Sequence, residues 1–303
     1  MSGAHERSEC EPERAKRSRN ASPIGRSQEG MSANFGLWSR QIDAIVRFEM
    51  KKYVLGRRWL AVYLLALAPV FLFTLRMLLA PNAHRPSSGV LSTIYAGFFQ
   101  LFVMRFAIFF GSMFIFTQLL RGEVLEKTLH YYLLIPVRRE VLALGKYMAG
   151  LVTSIGLFTG STIATYLLLF LPMGQERFNE FMFSGPGLKH MASYAGIAML
   201  ACLGYGAVFL LVGLLFKNPI GPSIIFLGWE SFNFVMPAAL QQISVVHYLQ
   251  SITPVSIARG PLAVIMEPTS PWISVPGLII FTAIILFLAA QKIRRVEVTY
   301  SAD

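Results

Sequence analysis

The sequence predicts an all-α, polytopic membrane protein, because long apolar stretches recur along a chain that carries few charges. The chain has 303 residues, of which 54% are hydrophobic and 14% are charged, whereas about 25% of the residues in soluble domains are charged. Roughly 20 apolar residues in a helix cross the hydrocarbon core of a bilayer. We therefore expect six transmembrane helices, an N-terminal interfacial helix, and a cytoplasmic helix between the second and third spans.

Six apolar stretches provide the predicted spans. An even number of spans places both termini on the same side of the membrane. Residues 59–295 form the predicted transmembrane domain, and residues 296–303 form a short tail. The predicted spans are 59–80, 92–120, 147–172, 190–216, 219–240 and 273–292.

The basic residues orient these spans. Of the 27 Lys and Arg residues, 21 lie before the first span, between the second and third, between the fourth and fifth, or at the close of the last. The loops on the opposite side hold four, namely Arg85, Arg177, Lys189 and Arg259. Because cytoplasmic loops are enriched in Lys and Arg, both termini are predicted to be cytoplasmic. Basic residues at span ends favour a membrane flank over nucleic-acid binding, although the net charge is +11.

The N-terminal 58 residues divide into two parts. Residues 1–30 mix both charge signs with Ser and Pro and have no apolar core, which predicts a disordered cytoplasmic tail rather than a secretory signal. Met31 offers an alternative translation start. Residues 31–58 predict an amphipathic helix in the cytoplasmic interface, the alternative being a simple basic run before the first span. Its apolar positions repeat at helical spacing and are Trp38, Ile42, Ile45 and Phe48.

The segment Arg121–Lys146, called the cassette below, carries charge between two apolar spans. Gly122 and Pro136 bracket a predicted helix, and after Val137, Arg138 and Arg139 a second helical start is expected to run through Lys146 into the third span. In the first helix, apolar residues recur at helical spacing and charged residues share another face. The apolar positions are Leu125, Leu129, Tyr132 and Leu133, and the polar positions are Glu123, Glu126, Lys127 and His130.

The cassette resembles the corresponding part of the membrane subunits of type-two ABC exporters. The residues that carry the resemblance are Glu123, Lys127, Thr128, Leu129, Pro136, Val137, Arg138, Arg139, Leu144, Gly145 and Lys146. The six spans, the interfacial helix and the long outer segment before the last span are also similar, over roughly residues 34–295. One departure is Lys127–Thr128, where many members of the family have Gly-Thr.

This resemblance implies a permease subunit in the cell membrane that pairs with a second permease copy, in a homodimer or a heterodimer. Two cytoplasmic ABC ATPase subunits would bind and hydrolyse ATP-Mg, and the cassette would act as the coupling helix that docks into them. The residues expected to couple the cassette to the ATPase are Glu123, Glu126, Lys127, Leu129, Arg138 and Arg139.

The chain itself shows no motif for chemistry. A phosphate-binding loop needs the G-x-x-x-x-G-K-[ST] spacing, and the Gly145–Lys146 pair is followed by Tyr at the start of a span. Metalloprotease and hydrolase motifs are missing from the sequence. The five histidines are scattered, and the two cysteines lie in a polar tail and in an apolar span. We therefore expect neither an enzyme nor a bound metal or cofactor.

Ionisable residues inside apolar spans are the remaining candidate site. Arg76 lies near a span end and can extend its side chain to the interface. Arg105 and Glu230 lie deeper, where charge is costly and marks either a buried pair or a substrate path. Together with Asn233, they are the candidate residues of a translocation path. For Arg105, extension to the interface stays open as an alternative.

Two other hypotheses remain. One is a secondary transporter or channel driven by an ion gradient, which often shows internal repeats and broken helices; no convincing repeat relates residues 59–172 to 190–292. The other is a membrane-embedded enzyme, for which the sequence shows no recognisable set of catalytic residues. The proline-broken segment 241–272 predicts short helices at the outer surface, or a re-entrant element that must be shielded from lipid.

Overall fold

The structure is a computed structural model that describes residues 42–47, 49–50, 59–79, 87–125, 139–216, 218–232, 244–255 and 270–294. The chain forms two compact units, Met1–Ala44 and Ile45–Asp303. In the first unit only residues 42–44 are described, and they are helical. All contacts discussed below lie within the second unit.

The described residues form helices and no strands. In chain order the α-helices are α1 (Leu60–Leu79), α2 (Ser88–Phe98), α3 (Phe109–Leu125), α4 (Arg139–Phe170), α5 (Gln175–Asn179), α6 (Gly187–Leu215), α7 (Ile220–Ser231), α8 (Val245–Ile252) and α9 (Pro271–Arg294). A π-helical segment, Phe99–Ile108, joins α2 to α3 without a break. Short 3₁₀ and π-helical turns, Leu171–Met173 and Glu180–Ser184, flank α5.

Five continuous helical stretches in the described part of the chain are long and apolar enough to cross a membrane. They are Leu60–Leu79, Ser88–Leu119, Val141–Met173, Gly187–Leu215 and Pro271–Ile293. Each overlaps one of the predicted spans, and the bounds differ by a few residues. The protein is therefore a multi-pass membrane protein, as its composition predicts.

Helix α6 forms the centre of the bundle, because it packs against α3, α4 and α9. Small residues such as Ala198, Ala201 and Gly206 are buried along it. A Cβ atom on Gly206 would lie 2.6 Å from Cζ of Phe116 on α3. Small side chains allow helix backbones to approach closely, which is how helices pack in lipid, where burial of apolar surface supplies no drive.

Hydroxyl groups in the spans are satisfied mainly by their own helices. Thr162 donates to the carbonyl of Phe158 at 2.7 Å, and Thr165 donates to that of Ser161 at 2.6 Å. Thr117 on α3 and Thr282 on α9 make the same contact with the residue four positions earlier. Without water in the bilayer core, this local bond makes a polar side chain tolerable.

Buried tyrosines connect the helices to one another. The hydroxyl of Tyr147 on α4 donates to the carbonyl of Leu203 on α6 at 2.9 Å. The hydroxyl of Tyr95 on α2 donates to the carbonyl of Thr162 on α4, also at 2.9 Å. Each bond satisfies a polar group and fixes the relative position of two spans.

One feature of the predicted fold needs correction, and another is described only in part. The sequence predicts that the cassette helix begins after Gly122, but α3 continues unbroken through Gly122 to Leu125. Of the predicted span 219–240, residues 233–240 lie outside the described residues; in the described part, α7 has 12 residues, about 18 Å of helix, and is too short to cross by itself. Helix α4 begins at Arg139, within the cassette, and runs through Lys146 into the third span.

Helix α8, in the segment before the last span, has a buried side. In α8, Val245, Val246 and Leu249 are buried, and the helix packs against α6 and α9. A Cβ atom on Gly204, near the middle of α6, would lie 3.0 Å from Cγ1 of Val245. Helix α8 is therefore shielded by other helices, as backbone at membrane depth must be.

The packing of α6 on α3 predicts opposite effects at two glycines of the same helix. Gly206→Ala places a methyl group against the Phe116 ring and should destabilise the protein by about 1–3 kcal/mol, the usual cost of overpacking. A Cβ atom on Gly196 would meet no atom within 4 Å, so Gly196→Ala should be neutral or stabilising by up to about 1 kcal/mol through helix propensity. Thermal unfolding in detergent would measure both, and equal melting temperatures would contradict the assigned packing.

Candidate functional site

A buried ion pair lies at the start of the third span. Nζ of Lys146 on α4 donates to Oε1 of Glu49 at 2.5 Å, and the two side chains are 0% and 3% exposed. Glu49 belongs to the helical residues that precede the first span. A buried charge needs a close partner, because removal from water costs several kcal/mol per ion.

Close backbone packing supports this pair. A Cβ atom on Gly145 would lie 3.1–3.2 Å from the side chain of Ile45. Within the same helical stretch Ile45 is partly buried and Arg47 is exposed, as the predicted amphipathic pattern requires. The segment before the first span is thus held against the first turns of α4 by one ionic and one apolar contact.

Two of the six expected coupling residues lie in described helices. Arg139 is the first residue of α4, and Glu123 lies in the last turn of α3. The cassette therefore begins in α3 and ends within α4. The remaining expected coupling residues, Glu126, Lys127, Leu129 and Arg138, lie outside the described residues.

A second cluster of polar contacts surrounds Glu230, near the end of α7. Its carboxylate accepts hydrogen bonds from the Ser244 hydroxyl at 2.9 Å and from the backbone N–H groups of Val245 and Val246 at 2.9 and 3.0 Å. Glu230 is 2% exposed. The first N–H groups of a helix lack intrahelical partners, and a negative charge there is favourable. Glu230 is therefore the N-terminal cap of α8, supplied from a different helix.

Arg105 and Tyr205 lie beside this carboxylate. Arg105 interacts electrostatically with Glu230 and with Tyr205. The structure thus brings together the two ionisable residues of the predicted path. Within the described part of the chain, Nε of Arg105 is buried and has no hydrogen-bond partner. The third predicted residue, Asn233, lies outside the described residues.

Aromatic rings enclose the same region. Phe226 on α7 stacks on Phe109 at 6.0 Å between ring centroids and meets Tyr205 edge-on at 6.5 Å. Phe209 meets Phe109 edge-on at 4.9 Å. These rings pack around Tyr205, the neighbour of Glu230 on α6.

Sequence reasoning missed several members of both clusters. Glu49 follows Ile45 by four residues, so it shares the apolar face of the predicted helix, and a charged residue on that face was the available signal. Ser244 and Tyr205 carry no such signal, because hydroxyl groups are common in spans. Their role depends on where α8 lies relative to Glu230.

No protein-family model and no curated protein matches this chain. Within the described residues, no group of three or more His, Cys, Asp or Glu side chains is placed to hold a metal ion.

The buried ion pair predicts an asymmetry between single and double variants. Lys146→Met leaves Glu49 buried without its charged partner and should destabilise the protein by about 3–5 kcal/mol. Combining Lys146→Met with Glu49→Leu should restore part of that loss, because two apolar side chains replace the pair. Thermal unfolding would measure the effect, with Lys189→Met, at an exposed position, as the control. A double variant that is less stable than Lys146→Met would contradict this account.

Proposed function

We propose that this chain is the membrane-spanning permease subunit of an ATP-driven ABC exporter. A separate cytoplasmic ATPase would bind and hydrolyse ATP-Mg, and the cassette would receive its motion. A second permease copy, identical or related, would complete the transport path. The observation that carries the proposal is the contact of Glu49 and Ile45 with the first turns of α4, where the chain re-enters the bundle from the cassette.

This contact is suited to transmit force. A helical segment loaded by a docked protein moves the bundle only if its ends are firmly attached to it. On one side the cassette continues α3 without a break, and on the other it leads into α4, which Glu49 holds through Lys146. Both α3 and α4 pack against α6. A push on the cassette would thus reach three spans together.

The proposed topology has six crossings and two cytoplasmic termini in the cell membrane. Five crossings would put the two termini on opposite sides. The basic end of α9, with Lys292 and Arg294, would then lie opposite the basic N-terminal segment, against the positive-inside rule. Charge distribution therefore supports a further crossing between α6 and α9.

The proposed route passes Arg105 and Glu230. They interact electrostatically with each other, and Glu230 lies beside Tyr205 on α6, around which aromatic rings pack. Charged residues at this depth commonly line transport paths. The cargo stays open, since an apolar helical subunit of this kind suits many classes of substrate.

Copurification tests the proposed function directly. Tagged protein solubilised from its native membrane should copurify with a chain that carries a Walker A motif and has no membrane span. Reconstituted together, the two should hydrolyse ATP faster than the ATPase chain by itself. Transport by the purified permease in vesicles that lack any ATPase would overturn the proposal.

Charge reversal in the cassette should uncouple the two subunits. Replacing Glu123 and Glu126 with Lys puts repulsive charge where docking contacts are expected, and stimulation of the ATPase should fall about tenfold or more, the loss expected for one or two strong polar contacts. Replacing Glu176 and Glu180 with Lys provides a matched control, since both are exposed in or next to α5. Full stimulation in the Glu123 and Glu126 variant would exclude these residues as the docking contacts.

A second candidate is a transporter driven by an ion gradient. The interrupted helix at Glu230 and its buried carboxylate favour it, because such proteins bind their coupling ions at broken helices.

Glu230→Gln and Arg105→Met should each reduce transport several-fold under both hypotheses, since both disturb the proposed path. Collapsing the ion gradient separates the two: ATP-driven transport persists, whereas gradient-driven transport stops. Full transport by both variants would remove these residues from the path.

A further inference from the structure

We propose that α7 and α8 together form one discontinuous membrane crossing, and that Glu230 is the latch that holds its outer half in place. The helix α7 would supply the cytoplasmic half and α8 the outer half. Only the statement that this latch controls an export path rests on the proposed function. The crossing and the latch depend on the geometry around Glu230.

The position of α7 gives the first half of the crossing. Only four residues, 216–219, separate the end of α6 from the start of α7, and α7 then runs back along α6. Phe226 contacts Phe209 and Tyr205, and Glu230 lies beside Tyr205. As α7 advances it therefore passes residues progressively nearer the start of α6. Its 12 residues rise about 18 Å and end near the middle of the bundle.

Helix α8 begins where α7 ends. Val245 lies against Gly204, next to Tyr205 on α6, and its N–H group donates to Glu230. From there α8 packs along α6 and α9 rather than along α7. The first N–H groups of a helix point backward along its axis, so a helix capped by Glu230 leads away from it. Its 8 residues rise about 12 Å, and the two half-helices together span about 30 Å.

Contacts with α9 give the direction of α8. A Cβ atom on Gly277 would lie 2.7 Å from the Tyr248 ring, and the Ser251 hydroxyl donates to that of Ser274 at 2.6 Å. Later residues of α8 thus meet earlier residues of α9, and the two helices are antiparallel. Because the basic end of α9 favours the cytoplasm, α8 runs outward and completes the crossing that α7 begins.

Glu230 is the part of this arrangement that can be released. A helix of 8 residues is not stable by itself, and its exposed N–H groups have no water at membrane depth. Three hydrogen bonds to one carboxylate satisfy this end of α8, and among the described residues a Ser251–Ser274 bond fastens its other end. Loss of the carboxylate leaves α8 held mainly by Val245, Val246 and Leu249. Release would open the outer half of the bundle beside Arg105.

Side-specific labelling tests the crossing. In a background with Cys10→Ser and Cys202→Ala, Asn218→Cys and Thr253→Cys mark the two ends of the proposed crossing. A membrane-impermeant thiol reagent applied to sealed cells should label Thr253→Cys, and should label Asn218→Cys only after permeabilisation. Labelling of both positions from the same side would overturn the discontinuous crossing. The labelling pattern does not depend on any ATPase, so it tests the crossing independently of the proposed function.

Hydrogen exchange tests the latch in the same membrane preparation. In Glu230→Ala, amides of residues 245–252 should exchange at least about tenfold faster, because buried donors lose their acceptor. Glu230→Gln, which keeps one acceptor oxygen, should show a smaller increase. Glu180→Gln, at an exposed position, provides the matched control and should leave these amides unchanged.

Cysteine accessibility gives an independent measure if Glu230→Ala folds poorly. Val246 is 1% exposed in the parent structure, so Val246→Cys should resist the reagent, whereas the same substitution combined with Glu230→Gln should be labelled from outside. Unchanged exchange in residues 245–252 and unchanged protection of the cysteine would together show that Glu230 is no latch.

Discussion

Polar groups at membrane depth in this protein must find their hydrogen-bond partners within the protein, because the hydrocarbon core contains no water. Thr162 and Thr165 meet this constraint within their own helix, and Tyr95 and Tyr147 meet it by joining neighbouring spans. Each kind of hydrogen bond has a consequence for the fold. The local bonds let α4 carry many hydroxyl groups, and the tyrosine bonds fix α4 against α2 and α6.

The same constraint explains both charged clusters. Lys146 is buried because Glu49 neutralises it at 2.5 Å, and this pairing holds the segment before the first span to the start of α4. Glu230 is buried because α8 has N–H groups that need an acceptor, so one carboxylate satisfies three donors. In both clusters the charged side chain comes from a different element than its partner. Charge therefore serves here to join elements that are distant in sequence, one pair at the start of the third span and one near the middle of the bundle.

The two clusters suggest how motion would pass through the molecule. The cassette is attached to α3 and α4, which pack against α6, and α6 in turn packs against α8 and carries Tyr205 beside Glu230. A displacement that begins at the cassette can thus reach the proposed latch through one central helix. Hydrogen bonds suit this transmission of motion, because each is either made or broken, whereas apolar packing changes gradually as helices move. The exporter hypothesis and the latch hypothesis therefore share one mechanical route.

The sequence by itself determined the all-α membrane class and the approximate bounds of five long apolar helices, since apolar length and helical periodicity are local properties. It also singled out Arg105 and Glu230, because charge in an apolar run is visible without a structure. The partners of Glu49 and Glu230 were not predictable, since they are set by contacts 97 and 14 to 16 residues apart. The break after α7 also escaped prediction, because the apolar stretch continues past the end of the helix. Tertiary structure decided these features, because only packing brings a distant donor to a carboxylate that cannot reach water.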